Sequence, residues 1–267
     1  MLASIAAAAF FMFLAMAFAW AIQRRSGNSG WIDTVWSLAV GAAAFALSLL
    51  PLAAGNALTN RQILVAALIG VWAARLGGYI ALRSAGAAED PRYAALMKEW
   101  GENASRRLFM FLQAQAVAGL ILVISVFVAA QNPAPGLNAK DFIGAALFLF
   151  ALVGAAVSDN QLRQFRSEPS NRGKVCDAGL WAYSRHPNYF FEWLGWVAYP
   201  IIAISPGYGW GYVALAAPIL MYVLLVHVSG IPPLEAHMQR SRGKAFADYS
   251  ARVNAFFPGP QRSPSTS

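Results

Sequence analysis

Runs of about twenty apolar residues alternate with short polar segments along the whole chain. An α-helix of about twenty residues is long enough to cross the hydrocarbon core of a bilayer. The pattern therefore predicts an all-α, polytopic membrane protein. Its seven transmembrane helices are expected at approximately residues 2–22, 31–53, 63–82, 108–129, 142 onward, 189–204 and 212–228. The fifth is expected to continue beyond the membrane as a helix to Arg166.

Helical spacing also appears in two polar stretches. A short interfacial helix is predicted after Pro91, because proline suits the first position of a helix. The helical spacing of Tyr93, Leu96, Met97 and Trp100 supports it. Residues 232–257 predict an amphipathic surface helix. We expect a single membrane domain over residues 1–258 and a disordered tail over residues 259–267.

Basic residues give this arrangement an orientation. With seven spans, 17 of the 20 lysines and arginines lie in segments on one side of the membrane. Two, Arg61 and Lys140, lie on the other side, and Arg75 lies within the third span. Lysine and arginine accumulate on the cytoplasmic side of membrane proteins. The N-terminus is therefore predicted outside and the C-terminus in the cytoplasm.

Composition supports the membrane interpretation and excludes other classes. The chain is 58% hydrophobic and 12% charged, against roughly 25% charged residues in soluble domains. The net charge of +8 does not indicate nucleic acid, because the basic residues flank spans and form no continuous stripe. The single cysteine, Cys176, excludes an internal disulfide, and no close His/Cys spacing suggests a metal site.

One segment, residues 159–189, is unusually cationic for its position between two predicted spans. Its basic residues are Arg163, Arg166, Arg172, Lys174 and Arg185. They are interleaved with polar residues: Asp159, Asn160, Asn171, Asp177, Tyr183 and Asn188. Guanidinium groups suit bidentate phosphate contacts, so the segment predicts a pocket for a phosphorylated cofactor. The alternatives are plain positive-inside charge or binding of anionic lipid headgroups.

The end of this segment carries further candidates. Pro187 favours an extended conformation for His186, and Asn188 is expected at or near the start of the sixth span, where the helix dipole favours anions. Glu192 lies one turn deeper. A carboxylate at membrane depth is a functional candidate; the alternative is a structural ion pair with Arg163 or Arg166.

Here the sequence resembles the bacterial branch of the steroid 5α-reductase family. The resemblance rests on GLWAYSRHPNYFFEW, on SDNQLRQFR before it, and on SGIPPLEAHM and YSARVNAFFP after it. It covers about residues 151–258, and less firmly DTVW at 33–36 and residues 72–93. The RHPNY core is shared with isoprenylcysteine and phospholipid methyltransferases that use S-adenosylmethionine. The upstream pattern D-x-x-L-R-x-x-R, in Asp159, Leu162, Arg163 and Arg166, is similar to the NADPH-binding helix of the reductases.

The resemblance implies an enzyme that holds NADPH from the cytoplasmic side of a bacterial inner membrane. Hydride would pass to the β-carbon of a lipophilic enone that enters from the bilayer, and a proton would be added at the α-carbon. The implied NADPH-binding residues are Asp159, Arg163, Arg166, Arg172, Lys174, Tyr183, Arg185, His186, Asn188, Tyr189, Glu192, Glu235 and His237. Besides substrate and membrane lipid, no partner is expected, and the protein is expected to be a monomer.

The catalytic pair is less directly implied. Eukaryotic members of the resembled family polarise the carbonyl with a glutamate in span 2 and a tyrosine in span 3. If Arg75 matches the arginine of that span 3, Trp72 occupies the place of the tyrosine. We therefore predict Asp33 as the acid and Tyr79 as a second donor, with Trp36, Trp72 and Arg75 in the substrate pocket. Asp33 could instead cap the start of span 2.

Two other functions remain open on the sequence alone. One is an integral-membrane methyltransferase that uses S-adenosylmethionine. The other is a non-enzymatic protein whose basic segment docks anionic lipid.

Overall fold

The computed structural model describes residues 2–51, 57–85 and 89–262, and these residues are predominantly helical. The α-helices are α1 (Leu2–Ser26), α2 (Gly30–Ser48), α3 (Asn60–Ala85), α4 (Pro91–Trp100), α5 (Ala104–Ala130), α6 (Ala139–Ser167), α7 (Pro187–Ala203), α8 (Ala216–Tyr222), α9 (Ile231–Arg242) and α10 (Lys244–Arg252). Four 3₁₀ segments and a π-helical turn join them: Gly101–Asn103, Pro169–Asn171, Gly179–Ala182, Gly209–Leu215 and Val223–Val228. No strand occurs in the described residues, which hold one isolated bridge between Ser205 and Tyr208.

Six helical stretches among the described residues are long and apolar enough to cross a membrane. They are Leu2–Ser26, Gly30–Ser48, Asn60–Ala85, Arg92–Ala130, Ala139–Ser167 and Gly209–Arg242. These correspond to six of the seven predicted spans. The predicted second span ended at Ala53, which lies outside the described residues. The predicted sixth span corresponds to α7, whose 17 residues extend about 26 Å at about 1.5 Å per residue.

The described residues divide into two compact units. Unit 1 comprises Met1–Ala145 with Tyr199–Ala217, and unit 2 comprises Ala146–Ala198 with Pro218–Ser267. In unit 1, α2 packs closely on α3, because Gly41 lets the two backbones approach at Ala73; a Cβ at Gly41 would collide with that alanine side chain. α1 and α5 pack against this pair and bury Met12, Met16, Leu108 and Leu112.

A buried ion pair fixes one end of unit 1. Arg61, which the sequence placed in a loop, is the second residue of α3 and only 2% of it is exposed. Its Nε and Nη2 donate to the two carboxylate oxygens of Asp141 at 2.7 Å each. Its Nη1 and Nη2 also donate to the carbonyl oxygens of Asn132, Ala134 and Gly136. One guanidinium thus holds the chain between α5 and α6.

In unit 2, Phe246, Tyr249 and Val253 form a small apolar core, against which Val175 and Met238 pack. The helix predicted over residues 232–257 is two helices, α9 and α10, because Gly243 between them has a φ of 49°. The predicted end was wrong, since α10 ends at Arg252 and residues 253–257 are not helical.

The chain after α10 is hydrogen-bonded to residues 183–185. Arg185 N–H donates to Asn254 O at 2.8 Å, Ser184 Oγ donates to Phe256 O at 2.8 Å, and Gly259 N–H donates to Tyr183 O at 3.0 Å. Of the tail that was predicted to be disordered, residues 259–262 are described, and Arg262 N–H donates to Arg252 O at 2.9 Å. Residues 263–267 lie outside the described part.

Candidate functional site

The Asp33–Tyr93 cluster is a polar group in unit 1, formed by Asp33, Arg92, Tyr93 and Gln115. Two of its members, Arg92 and Tyr93, lie on α4. Asp90 caps this helix by accepting from Arg92 N–H, and Pro91 is its first residue. The predicted short helix after Pro91 is therefore confirmed as a helix. Tyr93, however, is buried, with 4% of its surface exposed.

The geometry of the cluster centres on the carboxylate of Asp33. Tyr93 Oη donates to Asp33 Oδ1 at 3.0 Å, and Arg92 Nη2 donates to Asp33 Oδ2 at 2.6 Å. Both oxygens accept hydrogen bonds, which is the pattern of an ionised carboxylate. Arg92 also bonds the neighbouring carboxylate of Asp90. Burial opposes the ionisation of Asp90, but Arg92 holds the pKa of Asp90 below its usual value.

Gln115 ties this cluster to a predicted pocket residue. Its side-chain Nε2 donates to Tyr93 Oη at 3.3 Å, and its main-chain carbonyl oxygen accepts from Trp36 Nε1 at 3.0 Å. The phenol oxygen is therefore held from two sides, by Asp33 and by Gln115. Such a buried hydroxyl could polarise a carbonyl oxygen once its single proton turns from Asp33 to that oxygen.

The other residues predicted for catalysis and substrate lie on α3. Trp72 is buried, while Arg75 and Tyr79 are half-buried and lie one turn apart. Asp33 lies in the first turn of α2, but Ser29 precedes that helix as its cap residue. The hydrogen bonds of Asp33 described above go to α4 and not to the start of α2.

The Glu235 clasp is a second polar group, in unit 2, formed by Arg185, His186 and Glu235. Arg185 Nε and Nη2 donate to the two Glu235 oxygens at 2.7 and 3.0 Å. Arg185 Nη1 donates to Ser250 O at 3.1 Å and Val253 O at 2.6 Å. The guanidinium therefore ties α9 and the end of α10 to the residues just before α7.

His186 completes the clasp, and its two ring nitrogens differ in their hydrogen bonding. Nε2 lies 3.0 Å from Glu235 Oε1, which assigns the proton to Nε2. Nδ1 is buried and has no hydrogen-bond partner in the described part of the chain. The ring stacks on Tyr189 with centroids 5.5 Å apart. Burial lowers the pKa of His186 from its ordinary 6.5, against the opposing effect of Glu235.

This lowered pKa predicts a pH dependence of stability. A histidine that is kept neutral by folding confers stability above its unfolded pKa of 6.5, and that stability is lost as the pH falls towards the folded value. We therefore expect the protein to be less stable at pH 5.5 than at pH 7. His186→Gln should remove this loss, because glutamine donates to Glu235 but does not titrate.

The measurement is the midpoint of thermal unfolding in detergent at the two pH values. His237→Gln is the matched control, since His237 is an exposed residue of α9. Equal pH dependence of the wild type and of the His186 variant would contradict this account of the clasp.

A third contact joins two other predicted cofactor residues. Asn188 Nδ2 donates to Asp159 Oδ1 at 3.2 Å, which links α7 to α6 within unit 2. α7 begins at Pro187, so Asn188 lies in its first turn, as the sequence predicted. Glu192 is half-buried one turn later. Gly154 makes room on α6 for the ring of Phe191, because a Cβ there would collide with it.

The cationic cleft is a cavity of about 490 Å³ in unit 2. It is lined by Arg166, Arg172, Lys174 and Arg242, by one acidic residue, Glu168, and by apolar atoms that include Leu162, Phe165 and Met238. Cys176 also lines it, and burial raises the pKa of that thiol, which disfavours the reactive thiolate. Three of the five predicted basic residues are thus brought together around one cavity.

The remaining predicted cofactor residues lie elsewhere. Arg163 Nη2 donates to Asn160 Oδ1 at 2.7 Å, and Arg163 does not line the cleft. Arg185 belongs to the clasp. Tyr183 is exposed, and its carbonyl oxygen accepts from Gly259. His237 is exposed on α9.

Sequence reasoning missed four residues of these groups: Arg92, Tyr93, Gln115 and Arg242. Tyr93 and Arg92 belong to the segment EDPRY, which carried part of the family resemblance, so a signal was present in the sequence. Gln115 stood as a polar residue within a predicted span. Arg242 looked like any other basic residue of the cytoplasmic tail.

Comparison with known families identifies the family of the chain. A family model described as a protein of unknown function, DUF1295, matches residues 19–253. No curated protein matches the chain, and no solved structure does. The chain therefore belongs to the DUF1295 family, which is related to the steroid 5α-reductase-like membrane proteins.

Proposed function

We propose that this protein is an NADPH-dependent membrane reductase of the steroid 5α-reductase type, from its bacterial branch, that reduces the C=C bond of a lipophilic enone. The observation that carries the proposal is the cationic cleft. Four cationic side chains surround a cavity of about 490 Å³, and guanidinium groups suit phosphate. S-adenosylmethionine has no phosphate and is itself cationic at sulfur.

The residues present fit a phosphorylated dinucleotide. Arg166, Arg172, Lys174 and Arg242 would hold its phosphates in the cleft. His186 offers a buried acceptor, Nδ1, that lacks a hydrogen-bond partner in the described residues. Amide and hydroxyl groups of a dinucleotide are suitable donors to such an atom. NADPH, when bound, supplies the hydride for the β-carbon of the enone.

In unit 1, the Asp33–Tyr93 cluster supplies the carbonyl-polarising group. Hydride transfer to an enone builds negative charge on its carbonyl oxygen, so a hydrogen-bond donor is needed there. We assign this role to the hydroxyl of Tyr93 instead of Tyr79. The single phenol proton is directed at Asp33 in the structure, so in this proposal the O–H turns from Asp33 to the carbonyl oxygen when the enone binds. Asp33, whose two oxygens both accept hydrogen bonds, is not the proton donor.

The proposal includes the topology. Seven spans, with α7 as the sixth, an outer N-terminus and a cytoplasmic C-terminus, place 17 of the 20 lysines and arginines on the cytoplasmic side. A reporter fused after Ser267 is expected to be active only in the cytoplasm. Activity on the outer face would contradict the topology.

The experiment that tests the function is ligand-dependent thermal stabilisation of the detergent-solubilised protein. A ligand at about a hundred times its dissociation constant adds about 2.7 kcal/mol to the stability. We expect NADPH to raise the unfolding midpoint, with a smaller rise for NADH and none for S-adenosylmethionine. Stabilisation by S-adenosylmethionine alone would indicate a methyltransferase. Stabilisation by anionic lipid but by neither cofactor would indicate a lipid-docking protein.

A further inference from the structure

The α1–α5 seam is formed at one end of unit 1 by Trp20, Arg24, Arg106 and Phe109. The two helices pack against each other there, and Trp20 Nε1 donates to Ser105 O at 3.0 Å. The rings of Trp20 and Phe109 meet edge-on, with centroids 5.4 Å apart. Arg24 lies one turn after Trp20 on α1, and Arg106 lies one turn before Phe109 on α5. Each helix therefore contributes one aromatic ring and one arginine to the seam.

The guanidinium of Arg24 turns back along α1 towards the apolar part of the helix. Its central carbon lies 4.9 Å from the centroid of the Trp20 ring, which is a cation–π contact. Tryptophan is typical of the membrane–water interface, and long basic side chains place their charge at the same level. This contact therefore holds a positive charge at the depth of phospholipid headgroups, on the face that the proposed topology places in the cytoplasm.

Both arginines of the seam are available to a ligand. Arg24 and Arg106 are exposed. Neither forms an ion pair with a carboxylate among the residues that the structure describes, and this includes Glu102, which lies four residues before Arg106. Two positive charges from two helices thus stand beside one pair of aromatic rings.

Exposed apolar side chains continue from the seam along both helices. On α1 they are Phe10 and Phe13, at helical spacing from Trp20, and on α5 they are Met110 and Val117. The surface as a whole has a cationic end and an apolar length of several turns. A ligand that matches both parts has an acidic headgroup and hydrocarbon chains.

The charge of the seam also selects among phospholipid headgroups. A phosphodiester carries one negative charge and accepts hydrogen bonds from guanidinium groups. Phosphatidylcholine and phosphatidylethanolamine add an ammonium group, which two arginines without a paired carboxylate would repel. A headgroup without an ammonium group, as in phosphatidylglycerol, keeps its net negative charge and is attracted by basic residues next to a span.

We propose that the α1–α5 seam binds one anionic phospholipid, with its phosphate between Arg24 and Arg106 and its acyl chains along the two helices. None of the seam residues belongs to the Asp33–Tyr93 cluster, the Glu235 clasp or the cationic cleft. The inference is therefore independent of the proposed reductase, and it makes the lipid a ligand that joins α1 to α5.

The test is native mass spectrometry of the detergent-solubilised full chain, titrated with dioleoyl-phosphatidylglycerol or dioleoyl-phosphatidylcholine. Arg24→Gln/Arg106→Gln removes the two proposed phosphate ligands. Arg25→Gln/Arg107→Gln is the matched control, because it removes the same charge from the adjacent exposed positions of the same two helices. The thermal midpoint of each variant in lipid-free detergent establishes that it is folded.

Phosphatidylglycerol is expected to bind the wild type at least about tenfold more tightly than phosphatidylcholine. Arg24→Gln/Arg106→Gln should weaken that binding by about 10- to 100-fold, and Arg25→Gln/Arg107→Gln should stay within about twofold of the wild type. Arg24→Lys/Arg106→Lys keeps both charges without the planar donors, so its affinity should be intermediate. This variant supplies the comparison with the wild type if the glutamine variant does not fold.

Equal losses in the two glutamine variants would show that only the net charge of this face attracts lipid, and would overturn the inference. Equal affinity of the wild type for the two lipids would also overturn it. Glycerophosphoglycerol, the same headgroup without acyl chains, is the soluble probe. If it displaces the lipid at a similar concentration, the seam takes a soluble phosphate ester and the inference is wrong.

Discussion

Tyr93→Phe is expected to lower kcat for enone reduction by about 100- to 1,000-fold, the usual effect of removing one donor to a developing oxyanion. The hydroxyl of Tyr93 is buried and held between Asp33 and Gln115. Phenylalanine keeps the ring and its edge-on contact with Phe111, whose centroid lies 6.4 Å away. The affinity for NADPH is expected to change by less than about twofold.

Tyr79→Phe is the matched control, because Tyr79 is the tyrosine that the sequence favoured. It removes the same hydroxyl from a half-buried position on α3. Asp33→Asn adds a second comparison, since it keeps a hydrogen-bond acceptor for Tyr93 and should lower kcat less than Tyr93→Phe. Full turnover by Tyr93→Phe, together with a large loss in Tyr79→Phe, would return the role to Tyr79.

Asp141→Asn is expected to destabilise the protein by about 3–5 kcal/mol, because it leaves the buried charge of Arg61 without its counterion. Side-chain exposure in the pair is 2% for Arg61 and 1% for Asp141. Asparagine has nearly the same size, so packing changes little. Asp141 also accepts from Asn138 N–H at 2.8 Å, a bond that the asparagine oxygen can keep.

The measurement is the free energy of unfolding of the whole protein in mixed micelles, followed by denaturant titration. Asp177→Asn makes the same change in an exposed pair, in which Arg252 lies 3.5 Å away and 51% of the aspartate side chain is exposed. Exposed pairs contribute about 0–1 kcal/mol, so this variant should remain near the wild type. A similar effect in both variants would show that the Arg61–Asp141 pair does not hold the end of unit 1.

Local sequence patterns predicted those parts of the fold that local physics determines. Apolar runs indicated six helices that are long enough to span a membrane, and Asp90 with Pro91 begins α4 as expected. The short α7 shows the limit of this reasoning. The apolar run predicted a span there, but the helix has only 17 residues and is not among the six that are long enough.

Pairings between distant residues were not predictable in the same way. Tyr93 lies 60 residues from Asp33 and Arg61 lies 80 from Asp141. Nothing in the local pattern distinguishes a tyrosine that faces an interface from one that is buried against a carboxylate. The sequence likewise indicated Arg185 as a phosphate ligand, whereas in the structure its donors reach Glu235 and two carbonyl oxygens.

The basic residues of segment 159–189 do not all lie together in the structure. Arg166, Arg172 and Lys174 line one cleft, while Arg163 bonds Asn160. Arg166 lines the cleft and Arg163 does not, although both lie near the end of α6. The local sequence pattern does not distinguish these two positions. Arg242 joins the cleft from α9, about seventy residues along the chain from the nearest of the other three.

Transfer of an isotopic label tests the central claim most directly. The purified protein in lipid nanodiscs is incubated with NADPH that carries deuterium at the transferable position of the nicotinamide, and with a steroid 4-ene-3-one as a representative enone. The product is analysed by mass spectrometry and NMR. The account predicts one deuterium at the β-carbon and a solvent-derived hydrogen at the α-carbon, with both appearing about 100- to 1,000-fold more slowly in Tyr93→Phe. Recovery of unlabelled enone from a protein that is stabilised by S-adenosylmethionine and not by NADPH would contradict it.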